Sequence, residues 1–309
     1  MKTNKQLWPK LPYNEWKDTV ITLHLFTQII GKIRLALMPP EAQWAQVPFT
    51  LTSTGLLSPL MQSEVGALDI QFDFTTHIII FNTDSGKQTS FSLMNLSVEE
   101  FYKKVFEILK SLGINVKINP LSVEMKEAIK MDTDNLHKTY DSEAVLRWMQ
   151  VLISTGFVFE KFRSKFGGKQ TPVSFFWGSF DLAQVRFNGK PADPPQGSDI
   201  IYRIAMDTQQ AAVGYWPGND ESPEPIFFGY TYPKPDGFEN AKIAPSSAYW
   251  SAEKGEFILP YDSILASDDP AGELLKFCES TYLAGAELAG WDIKLLEHKP
   301  QVKTSKKKI

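Results

Sequence analysis

Between residues 47 and 94 the chain passes through four strand-like segments in succession, Val47–Thr54, Leu68–Phe74, Ile78–Thr83 and Gln88–Met94. Turn residues such as Asp84, Ser85 and Gly86 separate them, and no helical periodicity intervenes. A parallel neighbour needs a long crossover, so strands that follow one another this closely pair antiparallel. The pattern returns over Val173–Phe187, Ile200–Asp207, Ala211–Trp216, Ile226–Tyr232 and a hairpin over Tyr249–Leu259 that turns at Glu253-Lys254-Gly255.

Helices frame both runs. Residues 13–38 carry Phe26, Ile29, Ile30, Ile33 and Leu37 at helical spacing and stop at Pro39-Pro40. Ser97 and Glu100 form a capping box for a helix with the apolar face Phe101, Val105, Ile108, Leu109 and Leu112, ended by Gly113. Asp141 is the expected N-cap of a second long helix over 142–166, and Asp269-Pro270 opens a last one that runs to Ala289. A short strand is expected over Asn115–Ile118. The fold class is therefore α+β, antiparallel sheets with long helices packed against them, in two similarly ordered halves. The direct sequence match between the halves is weak. The divisions expected are 1–120, a connection over 121–141, a second half over 142–297 and a basic tail over 298–309.

Composition narrows the class of function. With 32 Lys and Arg against 36 Asp and Glu, the net charge is −4, which disfavours nucleic acid as a partner. The most apolar stretch, Val20–Met38, is interrupted by His24, Gln28, Lys32 and Arg34 and makes a poor membrane span. The single cysteine, Cys278, excludes an internal disulfide and suits a reducing compartment, and residues 1–15 hold no apolar core of signal-peptide length. A soluble, cytoplasmic protein with a small-molecule partner is expected. "FGGKQT" lacks the first glycine of a phosphate loop, "WGSFD" lacks the second glycine of a nucleophile elbow, and no dinucleotide fingerprint opens a helix. The four histidines are scattered, without zinc-ligand spacing. No cofactor is specified.

The stretches "LPYNEWKDTVITLHLFTQIIGKIRLAL", "FFWGSFDLAQVRF", "GYWPG" and "STYLAGAELAGW" resemble the bacterial domain-of-unknown-function family 5996 across residues 8–296. That resemblance implies kinship and fold, and no activity. Members often place His where this chain has Ser174, so a histidine there is not part of any chemistry expected here.

Two segments hold the candidate site. On the first helix, Trp16, Val20, His24, Thr27, Gln28, Gly31, Arg34 and Leu35 form a second face too apolar for solvent. His24 and Gln28 stand one turn apart, and Gly31 admits a close approach. In "PVSFFWGSFDLAQVRF", a carboxylate, a hydroxyl and a glycine sit inside an aromatic run, where polar groups need partners or a purpose. The stretch reads either as one strand bulged at Gly178 or as a hairpin turning at Gly178-Ser179. The bulged strand is preferred, because Trp177 and Phe180 beside a turn would be exposed. It places Trp177, Ser179 and Asp181 on one face.

His24, with an ordinary pKa near neutrality, and Asp181 are the candidate catalytic groups. Gln28, Arg34, Trp177 and Ser179 are the candidate ligand contacts, Arg34 suiting an anionic group. Tyr215, Trp216, Tyr230 and Tyr232 are candidates for the rim of the cleft. The function expected is binding of a small polar or anionic ligand in an aromatic-lined cleft, with or without catalysis. The alternative is an interaction protein whose polar cluster is structural, with Asp181 bridged to Arg186 or to a basic helix residue.

Overall fold

A computed structural model of the protein describes residues 7–125 and 129–298. The architecture is α+β. One antiparallel sheet of eleven strands runs through it in the order β10-β11-β9-β8-β7-β6-β1-β2-β3-β4-β5. Its first half is a meander: β1 (Phe49–Leu51), β2 (Gly55–Ser63), β3 (Gly66–Asp73), β4 (Ile78–Thr83) and β5 (Gln88–Ser92). The second half repeats the order with β6 (Ser174–Phe176), β7 (Asp181–Pro191), β8 (Thr208–Trp216) and β9 (Ile226–Tyr232), then adds β11 (Glu256–Pro260) and β10 (Tyr249–Ser251). The halves join at their first strands, where Phe49 pairs with Phe175 and Thr50 with Ser174.

The helices repeat the same relation. Helix α1 (Lys17–Leu37) packs on β2 and on α2 (Val98–Ser111), as α3 (Ser142–Arg163) packs on β7 and on α5 (Pro270–Leu288). The capping box at Ser97 and Glu100 forms, and Asp141 caps α3 through Glu143 N and Ala144 N. By length and composition α1 is the one helix among the described residues able to cross a membrane; here it is a core helix, buried from Thr19 to Arg34 apart from Ile21. Phe26 stacks on Phe101 at 4.0 Å, tying α1 to α2.

Four local expectations are corrected. First, residues 173–187 are a hairpin, not a bulged strand. Phe176 faces Asp181 in the ladder, Phe180 N donates to Phe176 O at 2.8 Å, and residues 177–180 make the turn. The aromatic side chains of that turn are buried because two helices close over it. Trp177 lies on Gly31 of α1 and donates its indole N–H to Val47 O at 2.9 Å. Phe180 is held between Trp148 of α3, stacked at 4.9 Å, and His24 of α1, also at 4.9 Å.

Second, residues 200–207 hold a short helix, α4 (Ile200–Ala205), because Asp199 accepts from Ile201 N and Tyr202 N and starts a helix where three bulky residues look strand-like. Third, the strand expected over Val47–Thr54 holds only β1, and β2 (Gly55–Ser63) follows it where no strand was expected. Pro59 sits at an irregularity in β2, the usual place for proline within a sheet. Fourth, Asn115–Ile118 forms no strand and has no ladder partner among the described residues. The connection after it contributes only an isolated bridge between Leu121 and Lys130. The basic tail beyond His298 lies outside the described residues.

Gly31 leaves no room for a side chain, since a Cβ there would stand 2.2 Å from the Trp177 ring. Gly31→Ala is expected to lower stability by about 1–3 kcal/mol in denaturant unfolding. An unchanged midpoint would mean that Trp177 is not held against the helix.

Candidate functional site

Strand alternation divides the second half of the sheet into two faces. Leu182, Gln184 and Arg186 of β7 and Ala211, Val213 and Tyr215 of β8 turn toward the long helices. Arg186 is stacked there on Phe162 (3.4 Å) and Tyr282 (4.2 Å). Asp181, Ala183, Val185 and Phe187 turn the other way, into a cleft of about 870 Å³. Asp181 and Arg186 are thus on opposite faces, and the bridge between them does not form. The same parity puts Trp216, Tyr230 and Tyr232 in the cleft and leaves Tyr215 behind the sheet.

The cleft exists because its floor is small. Ala183 pairs with Gly214 and Val185 with Ala212, so two alanines and a glycine occupy the centre of the face. Gly214 is required to be bare: a Cβ would meet the Phe228 ring at 2.1 Å. Aromatic walls rise from Phe176, Trp177, Trp216 and Phe228, and α4 covers part of the opening with Ile201, Tyr202 and Ala205. Trp44 pins α4 by donating to Ile201 O at 2.9 Å.

The turn 177–180 and the segment around Glu124 form the acid corner. Asp181 is 8% exposed, and its Oδ1 accepts from Ser179 Oγ. Among the described residues Ser179 is the side chain that bonds this carboxyl, and the Asp181 backbone N–H also favours its charged form. Burial pushes the Asp181 carboxyl up to about 7, Ser179 opposes the shift, and the nearby Glu124 charge adds to it. Glu256 at the start of β11 is also raised to about 7, by burial first, with Lys254 opposing and Asp181 adding. Glu124 is raised by burial and by Asp199.

Gly178 is small because Glu124 lies against it: a Cβ would stand 3.1 Å from Glu124 Oε1. Both sides of this corner are held by α1. His24 Nε2 lies 2.9 Å from Gly178 O. The same nitrogen lies 3.0 Å from Gln28 Nε2, so it stands between a carbonyl acceptor and an amide donor. Gln28 donates to Val123 O at 2.9 Å and accepts from Val123 N at 2.8 Å, which fixes the segment that carries Glu124. Burial brings the His24 imidazole down to about 4, against the raising effect of its backbone bonds to Gly178 and Trp177.

Of the residues singled out from sequence, Trp177, Ser179 and Asp181 line the cleft. His24 and Gln28 support it from behind. Arg34 points elsewhere and donates to Pro59 O at 2.7 Å, holding the irregularity in β2. Sequence reasoning missed Lys32, Glu124 and Glu256. Glu256 had a usable signal, its place one residue after a hairpin turn on the same face as Tyr230; Lys32 read only as an interruption in an apolar helix. No group of three His, Cys, Asp or Glu among the described residues could hold a metal ion.

Fold and cleft together define an α+β protein with an acid-cornered aromatic cleft on the face of one continuous sheet turned away from α3 and bordered by Lys32 and Leu35 of α1. Within that class the chain belongs to the family of unknown function DUF5996, whose model matches residues 8–298. No curated protein and no solved structure matches the chain.

The buried imidazole gives a measurable signature. A folded-state value below the unfolded one means that stability is lost as pH falls from about 6.5 toward 4. In a pH series of NMR spectra the His24 ring is expected to stay neutral at pH 5. A midpoint near 6.5 would show that it is not enclosed. The carboxylates act with the opposite sign. A raised Asp181 costs stability as pH climbs from about 4 through 7. Asp181→Asn keeps an acceptor for Ser179 and should be more stable than the parent at pH 8 by on the order of 2 kcal/mol, the gap closing toward pH 4. A variant less stable at every pH would mark Asp181 as a structural bridge.

Proposed function

We propose that the protein binds a small, partly apolar molecule in this cleft and that Asp181 orients it by hydrogen bonding. The observation that carries the reading is the pairing of a roughly 870 Å³ hollow with a nine-tenths buried carboxyl, Asp181, in its lining. Apolar walls with a few placed polar groups are the usual make-up of a small-molecule site. Trp177 supplies wall and Ser179 holds the carboxyl rotamer. Asp181, near 7, is the group suited to proton transfer at neutral pH, should the bound molecule be turned over. His24 and Gln28 are positioning residues in this reading, because their polar atoms are used on backbone groups.

The net charge of −4 supports a small molecule over nucleic acid, and the single cysteine, a buried free thiol, fits a cytoplasmic setting. The second reading, an interaction protein with a structural polar cluster, has support in His24, Gln28 and Arg34, which bond to backbone groups. It gives no role to the buried Asp181 carboxyl in the cleft lining.

The test is thermal unfolding against a metabolite panel, for the parent and for Ala212→Trp, which fills the floor of the cleft. At about 100 times Kd a ligand adds about 2.7 kcal/mol, a shift of several degrees. The shift is expected in the parent and absent in Ala212→Trp. An equal shift in both places the ligand elsewhere and overturns the proposal.

A further inference from the structure

Lys32 on α1 lines the cleft, is 8% exposed, and has no hydrogen bond or ion pair among the described residues. The two buried arginines are treated differently. Arg34 is bonded to the Pro59 carbonyl, and Arg186 to the Phe162 carbonyl between aromatic faces. A buried cation without a partner is expensive, and a fold that pairs the others leaves this one open only where the cleft adjoins it.

The acid corner does not fill the gap. Burial is the one influence that moves the Lys32 ammonium, downward, while Asp181 responds to Glu124 and Glu256 responds to Asp181. Among the described residues none of the three carboxyl groups is ion-paired to Lys32, although all line the same hollow.

Resting on the reading of the cleft as a ligand site, we infer that Lys32 anchors an anionic group, so that the ligand is an organic acid with an apolar body. Its oxyanion meets the Lys32 ammonium in a charge-assisted contact. Its body lies along Trp177 and Phe228, and a donor at its far end meets Asp181. The two polar ends of the cleft give the molecule one orientation.

A matched pair of fluorescent probes tests this: anilinonaphthalene sulfonate, an aromatic anion, and N-phenylnaphthylamine, the same rings without the charge. The parent is expected to bind both. Lys32→Met should weaken the sulfonate by about tenfold or more and leave the neutral probe within about twofold. Lys32→Arg should keep the sulfonate, and Ala212→Trp should lose both probes. Because Lys32→Met removes an unpaired buried charge, its melting temperature should equal or exceed that of the parent.

Equal weakening of both probes in Lys32→Met, no weakening of either, or a parent that takes only the neutral probe overturns the anchor and leaves the cleft reading standing. A parent that binds neither probe, or an Ala212→Trp variant that binds both as the parent does, overturns the cleft reading and the anchor together.

Discussion

The packing of the 177–180 turn between α1 and α3 is the contact on which the cleft depends. Trp177 against Gly31 and Phe180 between Trp148 and His24 fix a four-residue turn that would otherwise expose two large rings. With the turn fixed, Asp181 begins β7 opposite Phe176, and every second residue after it faces the cleft. The bond from His24 to Gly178 and the paired bonds from Gln28 to Val123 then set Glu124 against the bare backbone of Gly178. The polar face of one buried helix thus positions a site to which His24 and Gln28 contribute no surface.

The two halves share element order and packing, yet only the second is hollow in this way, and side-chain volume accounts for the difference. On β3 the corresponding face carries Asp69, Gln71 and Asp73, half-exposed and bonded to neighbours such as Asn82 and Thr54. On β7 and β8 it carries Ala183 and Ala212, which leave room above the sheet, and Gly214, over which the Phe228 ring packs. The second half also has a cover, since Asp199 starts α4 and Trp44 holds it in place. A polar open face and an apolar covered one are two uses of the same strand alternation.

Buried polar groups in this protein fall into two sets. Those on the helix side, including His24, Gln28, Arg34 and Arg186, end on backbone carbonyls. Those on the cleft side, Asp181 and Lys32, line the hollow without an ion pair among the described residues. Burial raises the acid and lowers the base, so both are poised closer to neutrality than in water. A molecule that offers each of them a partner recovers free energy that the empty fold forgoes.

By itself the sequence determined the α+β class, the antiparallel pairing, the repeated order of helices and strands, and the caps at Ser97, Asp141 and Asp269, because periodicity, turn chemistry and capping act over a few neighbouring residues. It also marked Trp177, Ser179 and Asp181 as polar or bulky groups out of place in a plain strand. Only the tertiary structure decided that the stretch is a hairpin, because its aromatic residues are covered by helices some 30 and 150 positions away in number. Likewise Arg34 falls beside an irregular strand while Lys32, two residues earlier, reaches the cleft. Helical rotation separates neighbours by about 100° per residue, and which of them meets a ligand depends on packing partners that local pattern does not encode.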